Sequence, residues 1–122
     1  MVDGNFFQGN ILVVGATKNR DKYGFKVFQT LKNRYPEFEV VPVNPNCDSV
    51  MGFTCLNSID DFNEEIDTIV LVINPKIGFE IVKKAFSKNI KKFWFQPGAE
   101  SSEIELFCEK NNLLYSTNLC LL

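Results

Sequence analysis

The chain contains no histidine, so the commonest general base at neutral pH and the commonest metal ligand are both missing. Its four cysteines, Cys47, Cys55, Cys108 and Cys120, include no C-x-x-C pair, which removes the usual zinc spacings. Cys55, near Phe53 and Leu56, and Cys120, among Leu119, Leu121 and Leu122, are expected to be buried, inert thiols. No disulfide is expected in a reducing compartment. The dinucleotide fingerprint G-x-G-x-x-G is absent, because Gly15 and Gly24 stand nine residues apart. No apolar run is long enough to span a bilayer. Met1 to Gln8 has neither a basic nor an apolar signal region, and a cytoplasmic location is expected. A net charge of −2 argues against a general nucleic-acid binder. There is no internal repeat, linker or low-complexity segment.

What is present is enough apolar sequence for one sizeable core. A length of 122 residues corresponds to a single domain, 1–122, and twelve phenylalanines make that core aromatic. The organising stretch is Ile11 to Leu31. Ile11 to Val14 reads as a strand buried on both faces, followed at once by Gly15-Ala16-Thr17. Val27, Phe28 and Leu31 then fall at helical spacing. A strand, a glycine turn and a helix N-terminus form a place where backbone N–H groups favour phosphate. The charge agrees: Lys18, Arg20, Lys22, Lys26, Lys32 and Arg34 face a single acid, Asp21, across residues 15–35. A steric turn device and a solvated basic helix face are the plainer readings of the same residues.

Pro36 stops the first helix. Phe38 to Val43 reads as a second strand, ending at Pro42-Val43-Asn44-Pro45. A dehydrogenase commonly places a ribose-binding carboxylate at this point; here stands Asn44, which counts against NAD. Val50 to Leu56 reads as a turn and a short strand. Ser58 begins a brief helical turn through Phe62. The six acids from Asp48 to Asp67 (Asp48, Asp60, Asp61, Glu64, Glu65, Asp67), with no base among them, read mainly as a solvated face. Thr68 to Ile73 is the clearest central strand. Asn74-Pro75 supplies a helix N-cap with proline at the first helical position, and Gly78, Ile81, Val82, Ala85 and Phe86 form that helix's inner stripe. Phe93 to Phe95 makes another strand, ending at Gln96-Pro97-Gly98. Ser101 or Ser102 caps a last helix through Glu109, with Ile104, Phe107 and Cys108 inward. Leu113 to Ser116 closes the series, and Phe6 and Phe7 are expected on the sheet edge.

Alternation of this kind predicts an α/β domain of three layers, with a mostly parallel sheet of five to six strands and helices on both faces. Ligands of such sheets bind outside the strands' carboxyl ends. That places residues 15–24, 44–46, 74–76 and 96–98 around one site.

Together these residues resemble the small bacterial coenzyme A-binding domain family, related to the CoA-binding lobe of the succinyl-CoA synthetase alpha subunit. The resemblance runs from about Ile11 to Cys120. It is carried by VVGAT, Lys22-Tyr23-Gly24, Pro42-Val43-Asn44-Pro45, Met51-Gly52 ahead of Cys55, Phe93-Trp94-Phe95-Gln96-Pro97-Gly98, and Cys120. It implies a Rossmann-like fold that holds the phosphates of CoA or an acyl-CoA at Gly15, Ala16, Thr17, Lys18 and Asn19. Lys22, Tyr23 and Gly24 would lie nearby. Asn44-Pro45 and Asn74-Pro75 would line the adenosine side, with Gln96, Pro97 and Gly98 at the same rim. The chain departs from the family in having Thr17 where Ser is commoner, and Asn74 where a basic residue often follows the strand.

The leading expectation is a non-catalytic, nucleotide-type binding module for CoA or an acyl-CoA. The alternatives are NAD(P) or an adenine nucleotide, with Arg20 or Lys18 meeting a 2′-phosphate, and a sensor or assembly module acting with a protein partner or as a homo-oligomer. No catalytic residue, metal ligand, nucleic acid or membrane is expected. The synthetase relative works through a phosphorylated histidine, which this chain lacks.

Overall fold

The computed structural model describes residues 5–122; the reading of residues 1–4 as part of a lead-in without a signal lies outside the described residues. Short β-branched runs form the strands and amphipathic segments the helices. In chain order these are β1 (Ile11–Val14), α1 (Tyr23–Arg34), β2 (Val40–Val43), β3 (Ser49–Val50), β4 (Phe53–Thr54), a single 3₁₀ turn (Ile59–Asp61), β5 (Thr68–Leu71), α2 (Pro75–Ser87), β6 (Lys92–Phe95), α3 (Ser102–Lys110) and β7 (Leu114–Ser116). Five strands make one sheet in the order β2-β1-β5-β6-β7, parallel throughout.

The short strand expected before Leu56 does not join this sheet. It is a two-residue antiparallel hairpin, β3 against β4. Met51 and Gly52 both take left-handed backbone angles (φ 52° and 82°), which reverse the chain and match strand twist. Leu56 alone reaches the sheet, through a bridge to Val43.

Period-two alternation sorts the strand residues between two layers. Ile11, Val13, Val70 and Trp94 face α1, packing with Phe25, Val27, Phe28 and Leu31. Leu12, Val14, Ile69, Leu71, Phe93 and Phe95 face α2 and α3, against Val82, Ala85, Ile104 and Cys108. Helices therefore cover both faces, two on one side and one on the other. One helix cannot cover five strands, and the two chain ends complete that face. Phe6 and Phe7 meet Trp94 with ring centroids 5.1 and 5.6 Å away, and Leu121 joins the same cluster. The two phenylalanines thus pack on the sheet's face and not, as expected, on its edge, because Trp94 would otherwise lie bare. Burying a Phe there is worth about 1.5–3 kcal/mol.

The chain moves outward from β1 to β2 through α1, then returns across β1 to lay β5 on its other side. Loops following β1 and β5 consequently diverge at the carboxyl edge and leave a crevice between them. That crevice is pinned by backbone. Gly15, at φ 99°, lies so near β5 that a Cβ would sit 2.2 Å from the Val72 carbonyl oxygen. A Cβ on Gly24, in the first turn of α1, would sit 2.1 Å from the Gly15 carbonyl oxygen.

Gly24→Ala tests this contact cleanly. Helix propensity alone would make alanine more stable by about 1 kcal/mol. Urea unfolding should instead show a loss of about 2 kcal/mol, the scale of overpacking against atoms that cannot move aside.

Candidate ligand-binding site

The loop between β1 and α1 is shaped by its own polar groups. The Asn19 N–H donates to Thr17 Oγ1 (3.2 Å), the Asp21 N–H to Asn19 Oδ1 (3.1 Å) and the Lys22 N–H to the Asn19 carbonyl (3.1 Å). From the end of β2, Asn44 Nδ2 donates to the Ala16 carbonyl at 2.8 Å, while its Oδ1 accepts the Asn46 N–H at 2.9 Å. Asn44 therefore fastens two loops together where a dehydrogenase would present a carboxylate.

The helix that this loop delivers is unlike the other two at its start. Asn74 Oδ1 caps α2 by accepting the Ile77 N–H, and Ser101 Oγ caps α3 by accepting the Ile104 N–H. In α1 the cap position is Lys22, no side chain caps the helix, and its first turn holds no acid. The first-turn N–H groups and the positive end of the helix dipole are left uncompensated by any side chain.

That end opens into a cavity of about 920 Å³, bounded by the ends of β1, β2 and β5 and by α2. Gly15, Thr17, Lys22, Tyr23, Gly24, Asn44 and Pro45 line it. A second cavity of about 590 Å³ lies between the ends of β5 and β6, lined by Tyr23, Asn74, Gln96, Pro97 and Gly98 among others. Tyr23, Val72 and Ile73 border both. Of the site residues read from sequence, Ala16, Lys18, Asn19 and Pro75 line neither cavity. Ala16 is buried, and Lys18 and Asn19 are exposed.

Sequence reasoning did not assign Asn57, Ser58, Ile59, Ile77, Ile81 and Lys84 to the site, nor Ala99 and Cys120, yet all line a cavity. Ile81, expected in the inner stripe of α2, is half-buried there and borders the larger cavity. For the 57–59 segment no local sequence pattern points to the site, since the Leu56–Val43 bridge and an ion pair from Asp60 to Lys84 bring it to the rim.

The basic segment divides on inspection. Of its six cations, Lys22 alone lines either of these two cavities. The Arg20 guanidinium lies 5.0 Å from the Phe25 ring, Lys32 sits 3.7 Å from that of Phe53, and Arg34 donates to the Leu121 carbonyl at 3.1 Å. These cations cover aromatic surface and hold the C-terminal tail.

The acids between 48 and 67 are mainly a solvated face, as expected, with only Asp67 half-buried, but two of them hold partners. Asp60 pairs with Lys84, and with Lys88 at 2.8 Å, and Lys84 also donates to Ser58 Oγ at 2.8 Å. Hydrogen bonds from Lys84 and Lys88 pull the Asp60 carboxyl down to about 2. Burial would raise Asp67, but the Gln8 N–H, the Thr68 hydroxyl and Lys92 together hold it below the ordinary value.

All four cysteines are free thiols. Burial, with Cys47 and Asp48 adding to it, pushes Cys55 up to about 12, and burial with Glu105 and Glu109 pushes Cys108 up to about 11. Both are poor nucleophiles. Cys120 departs from expectation: it is exposed. In the extended tail Leu121 turns into the core, and its neighbour consequently points outward, into the second cavity. Gln96, only 3% exposed, locks this arrangement. Its Oε1 accepts Trp94 Nε1–H (3.0 Å) and the Leu121 N–H (2.9 Å), and its Nε2 donates to Cys120 Sγ (3.3 Å). Among the described residues no group of three or more histidine, cysteine or acidic side chains could hold a metal ion. No helix there is long and apolar enough to cross a membrane.

A parallel sheet between helical layers, with a ligand-sized crevice where its order reverses, defines a Rossmann-like α/β domain. The chain belongs to the CoA binding domain family, whose match extends over residues 9–122. It is 31% identical over 86 residues to an ADP-forming acetate–CoA ligase II of Archaeoglobus fulgidus, covering 70% of this chain and 13% of that protein. It is 30% identical over 91 residues to the alpha subunit of an ADP-forming acetate–CoA ligase II of Pyrococcus furiosus, covering 75% of this chain and 20% of the subunit. The chain thus spans a small part of each of these two ligase relatives. A solved structure of a conserved hypothetical protein from Pyrococcus furiosus superposes with a TM-score of 0.85 at 43% identity, covering 93% of this chain and 97% of that one.

The Asp60 clamp carries a pH dependence. Its carboxyl is depressed when folded, from 3.8 to about 2, so the clamp's contribution is complete above the ordinary value and is lost as pH falls through the folded one. Asp60→Asn should therefore lose less stability than the parent between these two values, as followed by denaturant unfolding at stepped pH.

Proposed function

We propose that this chain binds coenzyme A or an acyl-CoA without carrying out chemistry on it, its phosphates taken at the start of α1. The observation that carries this reading is the uncapped N-terminus of α1, which opens with Lys22 into the larger cavity. Backbone N–H groups, a helix dipole and one cation are the donor set that a diphosphate requires. Membership of the CoA binding domain family supports the same ligand. The fit is local: Lys22, Tyr23 and Gly24 would hold phosphate, and Asn46 and Asn57 offer hydrogen bonds to the nucleoside. Isoleucines 59, 77 and 81 offer it apolar walls. CoA supplies a thiol that carries acyl groups; the protein supplies anchorage and orientation.

A chain with no histidine, whose raised thiols Cys55 and Cys108 line neither cavity, supports binding over catalysis. NAD is disfavoured because Asn44, engaged at both ends of its amide, occupies the ribose-binding position. A cytoplasmic location fits a CoA ligand. A protein partner also fits, since one relative is named as a subunit.

Calorimetric titration with CoA, NAD and ATP in parallel tests the reading. CoA should bind selectively. Lys22→Glu should weaken it by about tenfold, or about 1.4 kcal/mol, and flatten its salt dependence, as expected when an exposed, salt-screened cation at the cavity rim is reversed. Lys18→Glu should change it little, because Lys18 lies outside the cavity. Equal binding of the three ligands, or none, would sink the proposal.

A further inference from the structure

Two thiols meet at the base of the β3–β4 hairpin. Its register sets Ser49 opposite Thr54 and Val50 opposite Phe53, and carries on to Asp48, whose carbonyl accepts the Cys55 N–H at 2.9 Å. Cys47 is the next residue along, held by its own N–H to the Asn44 carbonyl at 3.3 Å. Both cysteines turn into the cluster that packs against α1. There the Cys55 thiol shares a hydrogen bond with Cys47, and the Cys47 thiol donates to the Ser49 carbonyl at 3.3 Å. Cys47 and Cys55 keep 8% and 9% exposure, whereas Cys108 has none. A small oxidant can therefore reach the pair and not the third buried thiol.

We propose that Cys47 and Cys55 form a reversible redox modification site, which closes to a disulfide when a hydroperoxide such as hydrogen peroxide reaches it. Cys47 loses its proton and attacks one peroxide oxygen; the O–O bond breaks, leaving a sulfenic acid on Cys47 and releasing water. Cys55 Sγ then attacks Cys47 Sγ. The S–S bond forms, the S–O bond breaks, and the departing hydroxide takes the Cys55 proton as a second water. Two thiols are oxidised and one peroxide is reduced. Burial, with Cys47 and Asp48 beside it, pushes Cys55 up to about 12, so Cys55 takes the second step, when its partner sulfur is already electrophilic. The cross-link would close the hairpin at its base. Asn46 just before it and Asn57 just after it both line the larger cavity, so the bond would join two segments of that rim.

The test uses Cys120→Ser, which removes the exposed thiol and with it disulfides between molecules. The protein is treated with hydrogen peroxide, then unfolded and alkylated with iodoacetamide. Mass spectrometry should find one alkylated thiol, Cys108, where the untreated protein shows all three, and peptide mapping should find Cys47 joined to Cys55. Dithiothreitol should restore three. The oxidised protein should melt roughly 5–10 °C higher, the scale of a short-loop disulfide in a domain of this size. Cys47→Ser and Cys55→Ala in the same background should gain nothing from the treatment. Three alkylated thiols after peroxide, a bond to Cys108, or sulfinic acid on Cys47 without a cross-link would overturn the proposal. The mass and mapping results need neither of these last two variants, so they decide the matter even where one fails to fold.

Discussion

Three backbone segments touch without any side chain between them: the end of β1 at Gly15, the first turn of α1 at Gly24, and the end of β5 at Val72. This contact sets where the first helix begins and how wide the crevice opens. It is a steric constraint, and close-packed protein interiors cannot absorb an added methyl group against a carbonyl. The two glycines do not form the usual dinucleotide fingerprint. Gly24 nonetheless performs one task that a glycine has in that fingerprint, close approach of helix to strand, from a position nine residues along.

Around that contact, the polar side chains mostly position backbone. Asn44 ties the β2 loop to Ala16, Asn19 closes the turn before α1, and Gln96 binds the C-terminal tail to β6. On the proposed reading, a ligand would be met by main-chain groups and by Lys22. Such an arrangement is pre-organised: its donors are already oriented, and little ordering cost remains for binding. Asp60, Lys84 and Lys88 give the far rim a similar stiffness through charge.

The uneven covering of the sheet explains the role of the chain ends. Two helices shield one face, and the other is completed by Phe6, Phe7 and Leu121 around Trp94. Seating Leu121 is also what turns Cys120 outward. Packing at one end of the sheet thus decides which thiol the second cavity displays.

The strands, the three helices and their buried stripes were legible in the sequence because apolar period and capping residues act locally: Ile11 to Val14, Asn74-Pro75 and Ser101 each carry their own signal. So were the loops at the carboxyl edge, since alternation alone puts them there. Three things were decided only by tertiary structure. The cations of residues 15–35 were divided between ligand edge and aromatic surface by what lay across from them, as Phe53 does from Lys32. The segment 57–59 and Lys84 reached the rim through a bridge and an ion pair spanning more than twenty residues. Cys120 was exposed because its neighbour's burial in a distant cluster outweighed the apolar character of its own surroundings. Local chemistry determines which elements form, and contacts between residues far apart in sequence determine which side chains those elements present to a ligand.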